Sequence, residues 1–202
     1  MAYIIAGYQG IGKSSWAAID VNYIDFESSC FFVNGKRSED WHIAYCECAI
    51  NLAQQGYNVF ISSHQAVRDY LSSFPMPEDI KLVTISPAVE LKDDWLIRLR
   101  TRHDKTKLVK DMKALANAED CYDDNVRSIQ SASGFNHIVI TDIEYDLEKL
   151  IDILESHMNI PGIERFYGVH TTCTVYSDGY QEGSIMMNNC KERRHHYEEL
   201  LQ

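Results

Sequence analysis

The sequence predicts an α/β protein built on a five-stranded parallel sheet with helices on both faces. Three observations predict it. Five short apolar runs alternate with segments whose apolar residues recur at helical spacing. A glycine-rich turn follows the first run at once and opens a helix. At 202 residues, 45% of them hydrophobic, the chain is long enough for one such domain with a substantial core.

The elements follow in order. Tyr3–Ala6 is the first apolar run, and Lys13–Ile19 reads as the helix after the turn. Asn22–Phe26 is the second strand, and a loop runs from Glu27 to Arg37. A helix follows from about Glu39 to Gln55, with Ser38 as its N-cap and Gly56 as its terminator. Trp41, Tyr45, Cys48, Ala49 and Leu52 give it one apolar face. Asn58–Ile61 is the third strand, and Ser63 caps a helix over His64–Ser72. Lys81–Ile85 is the fourth strand. Ser86–Pro87 is read as opening the next helix, because proline suits a first helical position. Further helices are expected at Thr106–Ala116 and Asp124–Gln130, a fifth strand at His137–Thr141, and a closing helix at Tyr145–Glu155. Alternation of this kind implies parallel strands joined by right-handed crossovers. Pro161–Gly162 marks a break, so residues 1–158 are read as the main domain and 159–202 as a small C-terminal extension. Within the extension, His170–Tyr176 reads as a strand, Ser177–Gly179 as a turn and Cys190–Leu201 as a charged helix.

Composition narrows the function. The net charge of −11 argues against a general nucleic-acid binder, since an acidic chain repels a phosphate backbone. It does not exclude small anions, which local positive charge and backbone N–H groups hold. No stretch approaches a membrane span, and no secretory leader is read at the start. The expected location is cytoplasmic. The six cysteines, at 30, 46, 48, 121, 173 and 190, have no CxxC spacing and read as free thiols. The assembly state stays open, a homodimer among the alternatives.

The turn itself carries the chemistry. Gly7-Tyr8-Gln9-Gly10-Ile11-Gly12-Lys13-Ser14 satisfies G-x-x-x-x-G-K-[ST], with an apolar strand before it and a helix after it. Glycines let the backbone wrap so that successive N–H groups point inward at phosphates. On this reading Gly7, Gln9, Gly10, Ile11, Gly12, Lys13, Ser14 and Ser15 bind ATP. Lys13 reaches the β- and γ-phosphates and the Ser14 hydroxyl ligates Mg²⁺. The expected architecture is therefore the three-layer P-loop NTPase fold.

Other charged residues suggest what the nucleotide is for. Asp25, with Glu27 beside it, closes the second strand, and strand C-termini line the ligand crevice of a parallel sheet. A carboxylate there can accept a proton, hold an acceptor, or face Mg²⁺ through water. Arg98 and Arg102 lie four apart on one helix face, suited to clamping transferring phosphates. Arg68, after the third strand, is a further acceptor-side candidate. No N/T-K-x-D motif of a GTPase is present.

With these residues on the page, the chain resembles the nucleoside monophosphate kinase group of P-loop kinases. Ala53–Ile61, Ile85–Arg102 and Phe135–Glu148 look like the guanylate kinase third strand, fourth strand with lid-entry helix, and final strand with helix. The resemblance implies strand order 2-3-1-4-5, lid arginines at Arg98 and Arg102, and base contacts near Thr141–Ile143. Guanylate kinases insert a long acceptor domain, for which Asp20–Gln55 is too short. That region, with Ser62–Asp69, resembles gluconate-type small-molecule kinases instead. The mosaic has the look of a phage-encoded nucleotide kinase.

The leading expectation is an ATP-dependent kinase of a nucleoside monophosphate, with ATP and Mg²⁺ as donor and cofactor and a small-molecule acceptor as partner. The second is a kinase of a neutral hydroxyl on a sugar, nucleoside or polynucleotide 5′ end, with Asp25 as base. The third is a nucleotide-dependent binding module without kinase activity.

Overall fold

The computed structural model describes residues 1–32, 36–146, 149–150 and 169–171. Its centre is strand β1 (Ala2–Gly7), buried along its whole length. A strand covered on both faces needs no polar alternation, and AYIIAG has none. β1 pairs in parallel with β3 (Asn58–Ser62) on one side and with β4 (Ile80–Pro87) on the other. β2 (Tyr23–Asp25) lies outside β3, and β5 (Asn136–Ile140) outside β4. The expected order 2-3-1-4-5 is present. A short sixth strand, β6 (Val169–Thr171), extends the sheet in parallel beyond β5. It comes from the segment read as an extension. The rest of that segment, and all but residues 149–150 of the closing helix after Asp146, lie outside the described residues.

Successive side chains of β1 point to opposite faces and seed two cores. Tyr3 and Ile5 join Phe60, Val83, Ile85 and Ile138 on one face. There they meet helices α4 (Lys92–Thr106) and α5 (Val109–Gln130) through Trp95, Leu99, Tyr122 and Val126, with Trp16 of α1 (Lys13–Ile19) packed alongside. Ala2, Ile4 and Ala6 join Val59, Ile61 and Leu82 on the other face. There they meet α2 (Trp41–Gln54) and α3 (Gln65–Ser73) through Tyr45, Ala49, Leu52, Val67 and Leu71. Each fully buried side chain of this size stabilises by about 1.5–3 kcal/mol.

Beyond shifts of a residue or so at strand ends, the elements differ from expectation chiefly in four places. Pro87 ends β4 opposite Ile140 and does not open a helix; a 3-10 turn at Val89–Leu91 intervenes before α4. The sheet claims this segment because its residues are buried through Pro87. α2 starts after Asp40, later than expected from Ser38, whose carbonyl accepts the Trp41 N–H at 3.3 Å. α3 is preceded by His64, and no side-chain cap from Ser63 forms. The two helices expected between residues 106 and 130 are one element, kinked at Cys121 with φ −136°. Among the described residues no helix is long and apolar enough to cross a membrane.

Candidate functional site

A cavity of about 360 Å³ opens at the C-terminal edge of the sheet, over the loop that follows β1. The loop's shape depends on glycine. Gly10 has φ +88° and Gly12 has φ +95°, the left-handed region where a side chain is strained. Space also excludes a side chain at Gly10, where a Cβ would stand 2.9 Å from Leu99 Cδ2 and 3.3 Å from Trp95 Nε1. The N–H groups of Gly10, Ile11, Gly12 and Lys13 donate to no group among the described residues. Buried or enclosed N–H groups without partners are rare, and a run of them is suited to an anion.

The loop is held from outside. Trp95 Nε1 donates to the Gln9 carbonyl at 2.9 Å and Arg98 Nε to the Gly10 carbonyl at 3.1 Å. The Gln9 side chain donates to the Ala114 carbonyl on α5 at 2.7 Å. The Tyr8 N–H donates to Ile85 of β4 at 2.8 Å. Four bonds thus fix the outer edge and leave the inner edge to the cavity.

Lys13 Nζ turns back onto the Gly7 carbonyl at 2.7 Å. Burial pushes its pKa below the ordinary lysine value, against the pull of Asp25 and Glu27. The Ser14 hydroxyl donates to Asp25 Oδ2 at 2.5 Å. Burial pushes the Asp25 carboxyl above its ordinary range, against the opposing effect of Lys13. Asp25 is placed by β2, whose register puts it opposite Phe60 of β3. Glu27 also lines the cavity and faces Lys110 Nζ at 3.6 Å.

Gln9, Gly10, Ile11, Gly12, Lys13, Ser14 and Ser15 all line the cavity, as do Asp25, Glu27, Arg98 and Arg102. Gly7 stands behind them as the acceptor of the Lys13 ammonium. Both arginines reach the cavity already engaged. Arg98 lies over the Trp95 and Tyr145 rings, at 5.4 and 5.1 Å, and also donates to the Ile143 carbonyl at 3.3 Å. Arg102 pairs with Asp111 at 2.9 Å, a carboxylate only 3% exposed that also accepts from Thr106.

Arg68 is the exception among the expected site residues. It is 4% exposed, donates to the Ser63 carbonyl and to Ser128 Oγ, and does not line the cavity. These bonds tie α3 and the loop after β3 to α5. The sequence position of Arg68 at the foot of a strand looked right; its helix turns it inward.

Sequence reasoning missed Lys110 and Asp111, which bring charge to the cavity from the first turn of α5. Neither belongs to a motif, and only the α4–α5 hairpin carries them to the loop. It also missed Tyr45. This buried hydroxyl donates to the Phe26 carbonyl at 2.6 Å and accepts the Ser62 N–H at 2.9 Å, joining the ends of β2 and β3. Among the described residues there is no cluster of three His, Cys, Asp or Glu side chains that could hold a metal. Mg²⁺ at a phosphate site needs none, since one or two protein oxygens and the phosphates suffice. The Ser14–Asp25 pair offers such oxygens.

Fold and site define an α/β protein whose loop after β1 lines a cavity at the C-terminal edge of a parallel sheet. No family model matches the chain, and no curated protein matches it. A solved structure described as an uncharacterized protein from Eubacterium ventriosum ATCC 27560 is similar at 13% identity and a TM-score of 0.43. The match covers 79% of this chain and 98% of that one. So distant a likeness has no bearing on function.

Proposed function

We propose that the chain is a P-loop NTPase-fold phosphotransferase that moves the γ-phosphoryl group of ATP to a nucleoside monophosphate. One observation carries this reading: a single cavity gathers Lys13, the Ser14–Asp25 pair, Arg98 and Arg102 around a loop whose N–H groups at residues 10–13 donate to no group among the described residues. In the transfer, the bond from the γ-phosphorus to the β,γ-bridging oxygen breaks, and one forms to an acceptor oxygen. ADP leaves with the bridging oxygen. Charge spreads over the equatorial oxygens of the moving group, so fixed cations supply most of the catalysis.

Each residue then has a task. Lys13 exchanges the Gly7 carbonyl for the β- and γ-phosphates. Ser14, oriented by Asp25, would hold Mg²⁺, which neutralises phosphate charge when bound. Arg102, held by Asp111, would meet the moving phosphate, while Arg98 keeps the loop in shape through Gly10. Asp25 is aimed at Ser14. That placement supports a role beside the metal position, and favours a monophosphate acceptor, which needs no strong base, over a neutral hydroxyl.

The test is direct. Purified protein is incubated with ATP, Mg²⁺ and a panel of nucleosides, nucleoside monophosphates and sugars, and products are identified by mass. A phosphorylated monophosphate absent with Lys13→Ala is expected. Signal that survives Lys13→Ala, or no product from any monophosphate, refutes the proposal. Phosphorylation of a nucleoside or sugar instead selects the hydroxyl-kinase reading.

A further inference from the structure

The turn that joins α4 to α5 differs in composition from the rest of the chain. Between residues 105 and 113 stand four lysines, Lys105, Lys107, Lys110 and Lys113, against a single carboxylate, Asp111, in a chain with 30 acidic and 19 basic residues. Asp111 is buried and already paired with Arg102. All four lysines are exposed. Lys107 pairs with Asp104 at 2.8 Å and Lys110 with Glu27 at 3.6 Å, at exposed positions where such pairs are weak. Lys105 and Lys113 have no carboxylate partner among the described residues. Helix electrostatics do not ask for this arrangement. The N-terminal end of a helix carries partial positive charge and favours acids. Lys110 and Lys113 nevertheless stand in the opening turns of α5.

Three large apolar side chains share the same tip. Leu108 is 45% exposed, Val109 63% and Met112 49%. A single exposed apolar residue is ordinary, but three so close in sequence make a patch. The turn holds them out. Thr106 Oγ1 accepts the Leu108 N–H at 3.3 Å and donates to Asp111 Oδ2. The N–H groups of Asp111 and Met112 both donate to the Leu108 carbonyl at 3.1 Å. Asp111 is thus drawn inward, while Leu108, Val109 and Met112 face water. A tip fixed in this way loses little freedom on meeting a partner.

The combination of residue types selects the partner. Single-stranded nucleic acid is held by bases stacked on aromatic rings, and residues 105–113 include none. Protein interfaces are rich in aromatic residues and arginine and poor in lysine, the reverse of this tip. An anionic bilayer surface suits it on both counts. Aliphatic side chains enter the acyl boundary, and the long lysine stems let the ammonium groups stay among the headgroups. Salt screens the field of the remaining acidic chain over about 8–10 Å, so the charges nearest the surface decide at contact.

We propose that the tip of the α4–α5 hairpin docks on anionic phospholipid surfaces, with Leu108, Val109 and Met112 inserted and Lys105, Lys107 and Lys113 among the headgroups. Lys110 and Asp111 of the same turn line the cavity, so docking sets the cavity beside the lipid surface. The inference does not depend on phosphoryl transfer.

The test is cosedimentation of the full chain with sucrose-loaded vesicles. The chain is expected to pellet with phosphatidylcholine vesicles that contain phosphatidylserine, and not with phosphatidylcholine alone. Binding should weaken as salt rises. Val109→Ser combined with Met112→Ser should lower the partition coefficient by about tenfold or more, because two apolar side chains no longer leave water. Lys105→Gln combined with Lys113→Gln should lower it by about fivefold per lysine. All four residues are exposed, so both double variants should keep the wild-type melting temperature. Absence of binding to the phosphatidylserine vesicles overturns the inference. So does binding that neither double variant weakens, or binding governed by the lysines alone, which is adsorption without insertion. Self-association or oligonucleotide binding that the same variants abolish, with vesicles left unbound, gives the tip another partner and overturns it too.

Discussion

Replacing Gly10 with alanine separates two physical costs that the geometry of the loop after β1 combines. At φ +88° an L side chain costs about 1–2 kcal/mol in backbone strain. The added Cβ also lands 2.9 Å from Leu99 Cδ2 and 3.3 Å from Trp95 Nε1. Leu99 is 1% exposed and Trp95 is fully buried, so neither neighbour has open space to move into. Overpacking of this kind costs about 1–3 kcal/mol more. Gly56 provides the control. Its φ is +94°, but a Cβ there would meet nothing within 4 Å, so Gly56→Ala carries only the backbone cost. Urea unfolding followed by circular dichroism reads both variants. Gly10→Ala is expected to lose about 1–3 kcal/mol more than Gly56→Ala. It should also weaken ADP binding at least tenfold, while Gly56→Ala leaves it intact. Equal destabilisation of the two variants would refute the packing of this loop against α4.

Other perturbations test the surroundings. Tyr45→Phe strands the Phe26 carbonyl and the Ser62 N–H. It should cost about 2–4 kcal/mol in urea unfolding, and a loss under 0.5 kcal/mol would contradict the bridge between β2 and β3. His64 and His137 both have pKa values lowered in the fold, chiefly by burial. Histidines of the unfolded chain take up protons near pH 6.5 while these two resist, so stability should fall as pH drops from 7 through that value. His64→Gln should flatten the decline in thermal melts across pH 5–7. An unchanged slope would mean that His64 is not held neutral.

Much of the fold was legible because it follows from local pattern. Tyr3–Ala6, Asn58–Ile61 and Lys81–Ile85 are apolar runs too short for helices, and each is a strand. The loop motif likewise fixed the positions of Lys13 and Ser14 relative to a strand and a helix. What failed depended on partners distant in sequence. Pro87 has the local chemistry of a helix start, but pairing with Ile140 keeps it in the sheet. Arg68 and Arg37 are both arginines near strand ends. Only tertiary contact decides that the first is tied to Ser128 and the second is raised on two rings. Asp111 carried no sequence signal, since an aspartate in a predicted helix reads as solvated until an arginine from the preceding helix is found against it.

The bonds from α4 and α5 to the loop after β1 have a kinetic consequence. A loop already braced by Trp95, Arg98 and Ala114 loses little freedom when a ligand arrives, so its ordering entropy is met during folding rather than at encounter. Association should then run at the rate of a preformed surface, with differences in affinity among ligands expressed in how slowly they leave. The same braces make the hairpin a poor swinging door. Moving it as a unit breaks three hydrogen bonds at once.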